Sequence, residues 1–313
     1  MTAMAIVALL AVARGQASPD AMWHPTARFL REARSRCAQL KPLAAGSCFA
    51  REMARAGAPK HAVAFTRMIR AAGYLRELRT AERVDVAYVA YPFQTTHRLG
   101  WLVVNGSPEV VDLDNTQKLP QPDMRADKAF IAAAPDLLRA RLYPGARPRA
   151  GGPTAILRAD GSEEIIVDYR VVDGCVSCAL IGFAYYAFDF DARGRFQGTR
   201  YLRFLQQPEE EASGAPARPG SARPIPVGPH QTFTLILNAN REAGSLWRLA
   251  NAPDKNVVTF VRSEYHEPRR TELWTFQTQG PGSAQLRMEN VHRVGNRQVP
   301  EQRLTYVVYA TSE

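Results

Sequence analysis

Apolar residues recur along this chain at two different periods, and the change of period divides it. From Pro25 to Leu40 the apolar positions fall three and four apart, with Phe29, Leu30, Ala33 and Cys37 on one face, the spacing of an amphipathic helix. Ser47 to Ala56 and His61 to Leu75 continue that period. Beyond them come short runs rich in Val and Tyr, at Arg83 to Tyr91, Leu99 to Val104 and Glu109 to Leu113. Asn105-Gly106 lies between the last two, and both residues accept the positive φ of a tight hairpin turn. Asp123 to Leu142 reads as a further helix, opened by an Asp cap and interrupted near Pro135. Four strands are then predicted, at Thr154 to Arg158, Glu163 to Val172, Ala179 to Phe190 and Arg195 to Phe204. Asp160-Gly161 and Asp191 to Gly194 supply turns between them. Helices first and antiparallel strands after predict an α+β domain over residues 18–205.

The pattern then lapses. From Gln206 to Pro229 the sequence QQPEEEASGAPARPGSARPIPVGP has no apolar periodicity and is rich in Pro, Gly, Ala and charge. Such a segment buries too little apolar surface to order itself, so residues 206–226 read as a disordered linker. After it the period is two. Phe233, Leu235 and Leu237 alternate with Thr232, Thr234 and Ile236, and Val258 to Arg262, Glu272 to Thr278, Ala284 to Asn290 and Arg303 to Ala310 behave alike. Six or seven strands in so short a stretch, punctuated by Asn251 to Asp254 and Gly280-Pro-Gly282, predict an all-β immunoglobulin-like sandwich over residues 227–313.

Particular residues in this second domain go further. Asn238-Ala-Asn-Arg-Glu-Ala-Gly-Ser-Leu-Trp247 follows the first strong strand and resembles the signature Asn-Pro-Thr-Thr-Gly-aromatic-x-Trp of the chagasin-like inhibitors of cysteine peptidases. Leu273-Trp-Thr-Phe276, followed by Gly282-Ser-Ala-Gln-Leu-Arg-Met288, is similar to that family's later strand pair. The resemblance implies a noncovalent wedge, in which three loops at one end of the sandwich enter the cleft of a papain-like peptidase. Strand order puts those loops at Asn238 to Leu246, Glu264 to Thr271 and His292 to Pro300. The implied contact residues are Asn238, Arg241, Glu242, Ala243, Gly244 and Ser245 in the first, Arg269 and Arg270 in the second, and His292, Arg293, Val294 and Gly295 in the third. Arg241-Glu-Ala243 stands where the family has Thr-Thr, Glu267-Pro-Arg-Arg270 where it has glycines, and His292-Arg-Val294 where it has Arg-Pro-Trp. Trp247 and Trp274 sit within alternating strands and are expected in the core. The expected function is peptidase binding and inhibition without catalysis. The alternative keeps the sandwich as an envelope binding or structural module and leaves the activity to the first domain.

Composition sets the compartment and narrows the partners. The net charge is +10, but the basic residues are 35 Arg and 5 Lys spread along the chain. No Lys/Arg run or nucleic-acid motif focuses them, so no nucleic-acid partner is expected. Met4 to Ala13, MAIVALLAVA, has the length of a signal-peptide apolar region and is too short to span a bilayer. Cleavage is expected after Ala17, which places the mature protein in the periplasm or outside the cell. Four cysteines, Cys37, Cys48, Cys175 and Cys178, most simply form two local disulfides in an oxidising compartment, with other pairings open. Cys175 and Cys178 alternatively form a redox pair, but a strand rather than a helix is expected after them. Asp189 to Gly194 imitates the start of a calcium loop, yet Arg200 occupies the position of its bidentate Glu. The six histidines lack metal spacing, and no phosphate, nucleotide or hydrolase motif occurs. No metal or cofactor is therefore expected.

Overall fold

The computed structural model describes residues 17–94, 99–134, 136–144, 152–206, 223–294 and 297–310. The expected signal segment falls outside them up to Gln16, and so does the linker from residue 207 to 222. Two compact units emerge, one comprising Met1–Leu78 and Ala87–Gly100, the other Arg79–Val86 and Trp101–Glu313.

The first unit is built on three helices, α1 (Ala27–Cys37), α2 (Pro42–Arg55) and α3 (Lys60–Met68). Thr26 caps α1 by accepting from the Phe29 amide, and Pro42 opens α2 at a position whose N–H has no helical partner. Their apolar faces meet at Phe49, Met53 and Val63, with Trp23, Phe29 and Phe93 packed around them. Cys37 and Cys48 form a disulfide with a Cα separation of 5.7 Å, tying the end of α1 to α2. The chain continues through β1 (Tyr74–Thr80), β2 (Asp85–Ala90) and β3 (Leu99–Val104).

In the second unit β4 (Val110–Asp112) pairs antiparallel with residues 102–104 of β3. The long helix expected from Asp123 is two short ones, α4 (Gln121–Ala126) and α5 (Lys128–Ala133), followed by β5 (Ala140–Pro144). Asp127 breaks the run because its side chain caps α5, accepting from Ala129 at 2.7 Å. Four antiparallel strands follow: β6 (Thr154–Arg158), β7 (Glu163–Asp173), β8 (Leu180–Phe190) and β9 (Phe196–Gln206). Cys175 and Cys178 are joined in the turn between β7 and β8, with Cα atoms 5.0 Å apart. That turn is not a helix N-terminus. Asp191 and Asp189, the imitation calcium loop, bond Arg195 and Arg200 instead.

The remaining strands are β10 (Arg223–Val227), β11 (Thr232–Asn238), β12 (Ser245–Leu249), β13 (Val258–His266), β14 (Thr271–Thr278), β15 (Gly282–Val294) and β16 (Arg297–Ala310). Arg223 to Pro226, the end of the expected linker, are thus strand, paired in parallel with β16. One sheet runs β10-β16-β15-β12 and the other contains β13-β14-β11. Together they make the expected immunoglobulin-like sandwich, with Phe233, Leu235, Trp247, Phe276, Leu286 and Tyr306 in its core.

The second sheet does not stop at β11. Its free side pairs antiparallel with β6, Leu235 opposite Ile156 and Phe233 opposite Arg158. The result is one eight-stranded sheet ordered β13-β14-β11-β6-β7-β8-β9, with β5 also paired to β7. Ile156, Ile166 and Tyr185 belong to the same buried cluster as the sandwich core. Two sequence domains therefore share a sheet and a core.

Candidate functional site

The connections β11–β12 and β13–β14 touch one another, and the outer end of the β15–β16 ladder runs beside the first of them. Ala239 donates its amide to the Arg270 carbonyl at 2.9 Å, linking the first loop to the second. Ser245, the first residue of β12, is paired with His292 of β15, which sets the first loop beside the outer end of that strand.

The first loop is closed by its own bonds. Asn240 accepts the Ala243 amide on its side chain at 3.2 Å and the Ser245 amide on its carbonyl at 3.0 Å. Gly244 ends the short 3-10 turn Arg241–Ala243 with φ +80, a conformation that favours glycine. Beneath the loop Trp247 is 3% exposed and donates its indole N–H to the Asn238 carbonyl at 2.8 Å. Trp274 is half-buried and borders the same core. Glu272 is 2% exposed and gathers donors from the first loop and from the strands beside it: Arg241 Nε at 3.3 Å, the Trp247 amide at 3.5 Å and Trp274 Nε1 at 3.2 Å. A carboxylate taken out of water needs this set of donors. The Arg241 guanidinium also lies over the Tyr265 ring, 4.5 Å from its centroid. Arg270 pairs with Glu242 at 3.3 Å, but both are exposed, so that pair orients the tips more than it stabilises them. Arg241, Glu242 and Arg270 are thus each paired.

The second loop points inward as well as outward. Arg269 Nη1 donates to the Ala81 carbonyl and lies 3.3 Å from Asp85 Oδ1. Thr80 donates its hydroxyl to the Arg269 carbonyl at 2.5 Å and its amide to Asn238 Oδ1 at 3.2 Å. His266 Nδ1 stands 3.1 Å from Glu82 Oε1. Two further carboxylates fix the far side of this segment. Asp85 receives the Ala81 amide at 3.1 Å and the Asn105 amide side chain at 2.5 Å; burial raises its pKa, which those donors hold down. Glu163, wholly buried, accepts the backbone N–H groups of Glu82, Arg83 and Val84 at 3.1, 2.8 and 3.1 Å. Burial nonetheless pushes its pKa up to about 7.

Of the contact residues read from the sequence, Arg241, Glu242, Ala243, Gly244 and Arg270 are exposed at the loop tips. Asn238 and Arg269 are engaged by residues 80–85. Ser245 is a correction: it opens β12, is 9% exposed and donates its hydroxyl to Asn290 Oδ1 at 2.8 Å, so it faces the core. The bounds of the third loop are another correction. His292, Arg293 and Val294 are ladder residues opposite Val299, Gln298 and Arg297, because β-favouring valines on both limbs carry the pairing outward. Gly295 lies outside the described residues. Thr80, Glu82 and Asp85 were not found from the sequence, since Arg269 and Asp85 are 184 residues apart and no local pattern joins them. Among the described residues no group of three or more His, Cys, Asp or Glu is placed to hold a metal ion. No helix among them is long and apolar enough to cross a membrane.

Comparison with known families bears on this same end of the molecule. Residues 227–308 match the model described as Chagasin family peptidase inhibitor I42. The C-terminal sandwich is chagasin-like. A crystal structure of the cysteine protease inhibitor EhICP2 from Entamoeba histolytica also aligns, at 12% identity and a TM-score of 0.25, over 28% of this chain and 85% of that one. No curated protein matches the chain. The matched residues of the chagasin-like domain include all three of its connecting loops, and they begin at Val227, the last residue of β10.

Proposed function

We propose that this chain is an exported, noncovalent inhibitor of papain-like cysteine peptidases. The observation that carries the reading is the match of residues 227–308 to an inhibitor family, in a sandwich whose first two implied loops meet through Ala239 and Arg270. Binding by such an end requires no bond making. It requires loops that are already ordered, because each mobile side chain frozen on docking costs about 0.5–1.5 kcal/mol. The first loop meets this requirement through its Asn240 bonds, its Gly244 turn and the anchoring of Arg241 on Glu272 and Tyr265. Its tip enters a cleft with Arg241 already partnered, which lessens the cost of desolvating that charge. No cofactor takes part. Two disulfides support an oxidising compartment, as export through a signal segment ending at Ala17 requires.

Titration of the whole chain against papain and a cathepsin-type enzyme, followed by hydrolysis of a fluorogenic peptide, tests the proposal. Submicromolar inhibition that weakens at least tenfold in Arg241→Ala supports it; no inhibition at high micromolar concentration refutes it. The second reading, a binding or structural module without inhibitory activity, is favoured by the engagement of Asn238 and Arg269 with residues 80–85. Mass spectrometry of the mature protein checks the export step, for which the expected N-terminus is Ser18.

A further inference from the structure

We infer that residues 80–85 act as a built-in occupant of the β13–β14 loop, and that a peptidase using this loop must first displace them. The inference rests on the inhibitor reading above. Its basis is that two of the residues implied in peptidase contact, Asn238 and Arg269, spend their polar groups on Thr80, Ala81 and Asp85. His266, where the loop begins, faces Glu82. The contact has an apolar part too: Ala81 is 1% exposed and packs with Ile236 and Leu273 on the outer face of the sheet.

The segment is also held from behind. Glu163 takes three successive backbone N–H groups of residues 82–84, and Asn105 holds Asp85. A segment fixed on both sides is presented as a ready-formed surface, with little ordering cost when it seats on the loop. A ligand competing for Arg269 and Asn238 therefore binds only the fraction of molecules in which they have been released, and its apparent affinity falls by that fraction. The polar partners of Arg241, Glu242 and Ala243 are Glu272, Arg270 and Asn240 rather than residues 80–85, so a first encounter at that tip is compatible with the occupant. Full engagement of all three loops is not.

The test uses the whole chain carrying Thr80→Val and Glu82→Ala together. The first removes the hydroxyl given to the Arg269 carbonyl without changing side-chain shape, and the second removes the carboxylate facing His266; both leave the sandwich untouched. Each lost bond of this kind weakens the seat severalfold, so the apparent inhibition constant against papain is expected to fall by about tenfold. Hydrogen exchange at the Thr80 amide should accelerate in parallel. Accelerated exchange with an unchanged inhibition constant overturns the inference while sparing the inhibitor reading. Accelerated exchange with no inhibition by either chain overturns both. If the double variant melts without cooperativity, Glu82→Ala alone serves, with an expected fall of about threefold and the same opposing outcome.

Discussion

Glu163→Gln sets two large effects against each other at one atom pair. The carboxyl is wholly buried, which disfavours its charge, yet it accepts three backbone N–H bonds, which favour it. Burial is the larger influence, and the pKa rises from an ordinary 4.5 to about 7. Between those values the folded chain holds a proton that the unfolded chain has released. Stability contributed by this group is therefore complete below about pH 4.5 and is lost as pH rises toward 7. The gap corresponds to roughly 3 kcal/mol. Glutamine carries no charge at any pH, but its NH2 cannot accept, so whichever way the amide is turned at least one of the three backbone N–H groups loses its acceptor, at about 1–3 kcal/mol. Urea unfolding followed by Trp fluorescence should find the variant less stable by about 1–3 kcal/mol at pH 5, and the difference shifted in its favour by roughly 2–3 kcal/mol at pH 8. Titrating groups other than the neighbouring Asp85 contribute alike to both chains and cancel in the difference. If the difference instead stays flat or moves against the variant as pH rises from 5 to 8, the three N–H bonds outweigh burial and the folded pKa lies below 4.5.

Trp247→Ala removes a buried indole and its bond to the Asn238 carbonyl, and should cost about 3–5 kcal/mol in urea unfolding; a loss under about 1 kcal/mol would contradict its place in the core. Replacing Cys37 and Cys48 by Ser opens a cross-link between residues 11 apart, for which the chain-entropy model gives a loss of roughly 3 kcal/mol. Its measure is the thermal midpoint of the helical unit, and an unchanged midpoint speaks against a structural role for that bridge. Residues 227–313 expressed alone lack both the β6 partner of β11 and the core contributions of Ile156 and Ile166. They should show no cooperative melt, and a sharp one would mean that the shared core is dispensable.

The sequence disclosed whatever is written locally. Alternation of Phe233, Leu235 and Leu237 fixes the inner face of β11, and all three are buried in the common core. Ile236, read as part of the opposite, polar phase, is buried too, because Ala81 covers that outer face. The spacing from Asn238 through Gly244 to Trp247 carries the first loop, since an αL glycine and an inward Trp are local requirements. What stayed hidden is nonlocal. Thr154-Ala-Ile-Leu-Arg158 reads identically as an edge or an interior strand, so its pairing with β11 left no mark in the period. The unpatterned residues after β9 mark a boundary along the chain, and nothing in them told that β6 pairs with β11 across it. Arg269 and Arg270 read alike as exposed tip charges, yet one turns to Asp85 and the other to Glu242.

A sheet that crosses from β6 to β11 also changes what a broken backbone would mean. Strand order along the chain and strand order in the sheet part company between β9 and β10, since β9 lies at the far edge while β11 sits in the middle. A single cut between them severs no rung of the ladders among the described residues. Such a nicked molecule would run as two fragments in denaturant and as one particle in native buffer, its halves clasped along β6 and β11 as subunits of a heterodimer are. The sandwich is tethered to its neighbour twice, once by covalent chain and once by a seam of hydrogen bonds and apolar contact, and only the second is needed to keep it.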